Sequence, residues 1–162
     1  MKISHLSVAV VCRTALAVAA LSLPLAPVWA ASKQCVTKTE KTALDTRVLQ
    51  TELMVAALSC GQRDQYNAFV IAFKPELQTN GARLKSLFKR LHGKGSSKAL
   101  NSFVTRLAND ASQQSQLVRF TYCENTLKLF TDTMLAPRND LSAVTSQEWI
   151  RDRHGYSQCG GA

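Results

Sequence analysis

Between residues 38 and 135 the apolar side chains return every three or four positions, and this spacing constrains the fold more than any other feature of the chain. Leu44, Val48, Val55 and Leu58 line one face of a helix expected over 38–59, with Asp45, Arg47 and Glu52 outside that row. Gly61 follows where a helix end favours a left-handed residue. Seven Gly and four Pro in 162 residues are too few turn-formers for an all-β chain.

A second row runs Tyr66, Phe69, Val70, Phe73, Leu77, Leu84, Leu87, Phe88, Leu91, with Asp64 placed to cap its start. The row keeps its phase through Pro75, so the segment 65–92 reads as one helix kinked at the proline. A break at Lys74 is the alternative, because a residue before Pro avoids helical angles. His92 to Gly95 reads as a turn, and Ser96 or Ser97 as the cap of a third helix over 97–135. Unbroken, that helix would be about 58 Å long; the polar run Asn109 to Gln116 is where it would bend. Thr145 and Glu148 have capping-box spacing, so a short helix through Trp149, Ile150 and Arg151 is expected. The fold class is therefore all-α: an antiparallel bundle of three long helices plus a short C-terminal helix, in a single domain over 31–162.

Residues 1–30 have the layout of a signal peptide. Lys2 and Arg13 flank a leader without acids, Thr14 to Leu23 is apolar but shorter than a membrane span, and Val28-Trp29-Ala30 offers small residues before a cut. The mature chain is then exported, to periplasm or medium, with no transmembrane span. Cleavage removes one of the five cysteines and leaves Cys35, Cys60, Cys123 and Cys159. An even set in an oxidising compartment reads as two disulfides, and the absence of any C-x-x-C pair argues against zinc. Four cysteines allow three pairings. If short turns make the three rods antiparallel, about 28 residues down the second rod and as many up the third bring Cys123 level with Cys60. The expected pairs are Cys60–Cys123 and Cys35–Cys159.

The formal charge is +9, and its excess is local. Residues 77–109 hold Arg83, Lys85, Lys89, Arg90, Lys94, Lys98 and Arg106 without one acid. Arg83, Lys85, Lys89 and Arg90 fall on the arc opposite Leu84, Leu87, Phe88 and Leu91. Such a basic hairpin suits an anionic envelope component or an acidic protein; a solvated face that keeps the chain soluble is the plainer reading. Nucleic acid is not expected as a partner, since no aromatic platform for bases accompanies the charges.

No catalytic constellation emerges. His92 closes a helix and His154 lies in a Gly-rich tail, and neither G-x-S-x-G nor H-E-x-x-H occurs. No cofactor and no metal are called for. The nearest approach to an active site is a polar layer of Asp45, Asn80 and Asp110, level with one another in the antiparallel register. Trp149 is expected to cover one end of the bundle. The sequence thus points to an exported, disulfide-stabilised helical binding protein. An envelope enzyme using the carboxylate layer and a helical assembly subunit are the alternatives, and the oligomeric state stays open.

Overall fold

The computed structural model describes residues 35–160, so the leader expected over 1–30 lies outside the described residues. Among the described residues six α-helices follow one another: α1 (Lys38–Ser59), α2 (Arg63–Ala72), α3 (Lys74–His92), α4 (Ser96–Leu117), α5 (Arg119–Leu135) and α6 (Ser142–Thr145). A 3₁₀ turn, Gly93–Gly95, joins α3 to α4. Among the described residues there is no strand, only one isolated parallel bridge between Val36 and Gln158. The all-α class with long helices packed together is as expected, and Cys60–Cys123 and Cys35–Cys159 are the observed disulfides, with Cα separations of 5.5 and 4.9 Å.

The first helix has the bounds its periodicity implies, but it does not have one wet face. α1 packs against α2, α3, α4, α5 and α6, so it is the axis of the bundle. Leu44, Val48, Leu49, Leu53 and Ala56 are buried, and so are Asp45, Thr46, Thr51 and Glu52 around the same cylinder. Buried polar groups in such a helix need partners. Thr46 and Thr51 donate to backbone carbonyls one turn back, at 2.8 Å each. The helix starts in a full capping box. Thr37 Oγ1 accepts the Glu40 N–H at 3.2 Å, and Glu40 Oε2 accepts the Thr37 N–H at 2.8 Å.

Both longer rods are divided. Residues 65–92 do not form one kinked helix: α2 ends and α3 begins around Phe73, at φ −110° and ψ 18°. The break moves Pro75 from a helix interior, where its missing N–H costs a hydrogen bond, into a first turn, where that N–H has no partner anyway. Phe73 still accepts from Leu77 and donates to Phe69, so the apolar row keeps its phase across the break.

The third rod breaks at Val118, at φ −135° and ψ 50°, just past the polar run. α5 turns across the end of α1. Arg119 donates to the Ser59 carbonyl at 3.1 Å, and the Tyr122 hydroxyl reaches the Glu52 carbonyl at 3.3 Å. The break precedes Cys123, so the straight-rod premise does not hold even though the pairing drawn from it does. Ser115 Oγ lies 3.1 Å from Ser59 Oγ, which brings α4 level with the end of α1; Cys123 then meets Cys60 early in α5.

Three caps differ from expectation. Gln62 rather than Asp64 precedes α2, and Gly95 rather than a serine precedes α4, in each case without a side-chain cap bond. Thr145 ends α6 instead of opening a helix, and its hydroxyl donates back to the Ser142 carbonyl at 3.3 Å. Residues 148–154 run as successive turns that carry the tail back to α1.

Candidate functional site

The expected basic hairpin is the tip formed by the end of α3, the 3₁₀ turn and the start of α4. Leu84, Leu87 and Phe88 are buried, while Arg83, Lys85, Lys89 and Arg90 are exposed, as the helical arc requires, and so are Lys94 and Lys98 beyond it. Phe88 anchors the tip from inside, 5.6 Å from the His92 ring and 5.3 Å from Phe103. The six cations are not equivalent. Arg90 Nη2 lies 2.7 Å from Glu40 Oε2 and 3.2 Å from the Cys35 carbonyl, tying α3 to the start of α1. Glu40 is partly buried, which pushes its carboxyl up, but the Arg90 guanidinium and the Thr37 N–H outweigh this and hold it below its ordinary value. Arg83 Nη1 donates to Asn80 Oδ1 at 3.4 Å. Lys85, Lys89, Lys94 and Lys98 form no ion pair with any described residue, so their charges face solvent.

The polar layer of Asp45, Asn80 and Asp110 does not assemble. Asn80 is buried beside Arg83, Asp110 is exposed on the outer side of α4, and Asp45 turns to the tail. A different cluster forms around Asp45. Lys41 Nζ bridges Asp45 Oδ2 and Asp152 Oδ1, at 2.8 Å to each. Asp45 Oδ1 accepts the Asp152 N–H at 3.2 Å and lies 3.3 Å from His154 Nε2. His154 is fully buried, and its Nε2 lacks the alignment of a full hydrogen bond. Burial pushes the Asp45 carboxyl up, but His154 and Lys41 outweigh it and hold the group below its ordinary range. Lys41 is raised: its carboxylate partners, Asp152 foremost, overcome the effect of burial.

Two turns along α1 a second pair closes over the core. Glu52, which is buried, bonds Arg153 and accepts from the Tyr122 hydroxyl at 3.2 Å. Burial wins there and raises the Glu52 carboxyl despite Arg153, and it raises the Tyr122 phenol as well.

The sequence reading missed both clusters. Their only local signals are Lys41–Asp45 at i,i+4 and the Asp152-x-His154 pair; the decisive one is the Cys35–Cys159 pairing, which lays the tail beside the start of α1.

Asp45, Asp152 and His154 place one ligand atom each within 4.8 Å of one another, close enough to frame a metal ion. The donor chemistry opposes it. The Tyr156 N–H donates to His154 Nδ1 at 3.0 Å, so Nδ1 offers a lone pair and the ring proton sits on Nε2, the atom that would have to ligate. The Lys41 ammonium already supplies the cation between the carboxylates. The cluster is a clamp that fastens the tail to α1.

Trp149 is partly buried against the core, and its indole N–H donates to Gln147 Oε1 at 3.1 Å. Among the described residues no helix is long and apolar enough to cross a membrane. No protein-family model matches the chain, and no curated protein or solved structure matches it.

Proposed function

We propose that the protein is an exported, disulfide-stapled helical binding module that docks an anionic envelope surface through the α3–α4 tip. The observation that carries this reading is the set Lys85, Lys89, Lys94 and Lys98, exposed at one end of the bundle and without a carboxylate partner among the described residues. Charges left unneutralised on a rigid tip attract a polyanion without reorganisation, and the attraction falls with salt. Both disulfides suit an oxidising compartment, which supports export.

Co-sedimentation with phosphatidylcholine vesicles, with and without phosphatidylglycerol, tests this. Binding is expected only to the anionic vesicles. It should weaken by about tenfold or more in Lys85→Glu/Lys89→Glu/Lys98→Glu and disappear at high salt. Equal binding by wild type and the triple variant at low salt removes the tip from the function.

A further inference from the structure

The break at Val118 opens a groove on the flank of the bundle, away from the basic tip. It lies between the end of α4, one face of α5 and the turn that carries Trp149, and its volume is about 430 Å³, within the range of small-ligand sites. Its lining is mixed in a particular way. Val118, Leu129 and the Trp149 indole give apolar area, while Gln114, Thr121, Asn125 and Gln147 give amides and a hydroxyl.

One wall is fixed in advance by a chain of bonds. The Trp149 indole N–H donates to Gln147 Oε1 at 3.1 Å, Gln147 Nε2 donates to Asp132 Oδ2 at 3.3 Å, and Lys128 Nζ lies 2.8 Å from the same oxygen. Lys128 also holds the Asp132 carboxyl below its ordinary value. The rest of the polar lining is unused: the Gln114, Thr121 and Asn125 side chains form no hydrogen bond with any described residue.

We infer that this groove is a binding site for a neutral pyranose oligosaccharide. The Lys128–Asp132 pair cancels its own charge, so the groove holds no net cation for a phosphate or carboxylate. Amide side chains both donate and accept, which matches sugar hydroxyls that do the same. An indole held by its N–H leaves its apolar rings for the C–H face of a sugar ring. A purely apolar ligand would strip water from three free polar side chains and give nothing back. Because the wall is preorganised, little ordering is required on binding. The site is independent of the basic tip.

The intrinsic fluorescence of the disulfide-bonded protein reads it out, with Trp149→Phe as the control that isolates the Trp149 signal. Chitotriose, maltotriose and cellotriose are titrated separately. At least one is expected to give a saturable change that persists at high salt, unlike docking by the tip. Asn125→Ala and Thr121→Val, whose exposed side chains make no hydrogen bond with any described residue, should each weaken it about tenfold with unchanged far-ultraviolet dichroism. The inference is overturned if none of the three sugars changes the signal, if both variants bind as wild type, or if pentaglycine reproduces the change where the sugars do not.

Discussion

The Tyr156 backbone N–H donates to His154 Nδ1 at 3.0 Å, and this bond assigns the proton of a fully buried imidazole to Nε2, facing Asp45. The consequence is a structural histidine rather than a ligand or a base with a free lone pair.

Long-range nitrogen–proton correlation spectra are therefore expected to show His154 as the Nε2–H tautomer at neutral pH. Adding zinc should leave Tm unchanged, since a metal bound only by the native state would raise it. A zinc-dependent rise in Tm that Asp45→Asn abolishes would overturn the clamp.

Acid should loosen the tail first. Asp45 is held below its ordinary value of 3.8, so the stability it supplies is complete above that value. It is lost as the pH falls through the lower native value. Glu52 has the opposite sign. Its carboxyl is raised, so its contribution is largest at low pH and declines as the pH rises through the raised value. Melting curves across the acid range should show Asp45→Asn about 2 kcal/mol less stable near neutrality, with the gap closing in acid. The difference between wild type and Glu52→Gln should shift against wild type as the pH rises. A constant gap in both variants contradicts these assignments.

The disulfides differ in the loops they close. Cys60–Cys123 spans 63 residues and Cys35–Cys159 spans 124. In the chain-entropy view these stabilise by about 4 and about 5 kcal/mol. Paired Cys→Ala variants compared by urea unfolding should both be destabilised. Loss of Cys35–Cys159 should also raise hydrogen exchange across 150–159 while leaving Cys60–Cys123 intact, which peptide mapping can confirm.

Burial separates two phenylalanines that composition treats alike. Phe88 is buried among Phe103, Tyr156 and His92, so Phe88→Ala should cost about 3–5 kcal/mol. Phe120, just past the break at Val118, is 83% exposed, and Phe120→Ser should stay within about 0.5 kcal/mol of wild type. Chemical denaturation of the two variants checks the contrast.

How much was legible varies with the range of the interaction. The bounds of α1, Gly61 at its end with φ 72°, the buried row of α3 and the exposed arc of cations follow from 3.6-residue periodicity, which is local. The breaks at Phe73 and Val118 are weakly signalled: the apolar row keeps its phase through the first, and the polar run Asn109 to Gln116 stops just short of the second. Asp45 and Glu52 fall outside the apolar row of α1, and their burial was not legible because α1 alone does not reveal that helices pack on every side of it.

The order of amino acids by itself determined that the described chain is helical, where its first helix runs, and that its positive charge gathers on one hairpin. Those properties depend on neighbours a few positions away, whereas Cys60 meets Cys123 although the straight rod counted to reach it is broken at Val118. Tertiary structure alone decided that Asp45 meets Asp152 and His154 across more than a hundred positions, that Glu52 meets Arg153 and Tyr122, and that a groove opens beside Trp149. A buried charge is tolerated only where distant groups arrive to satisfy it, and which groups arrive depends on how the helices turn.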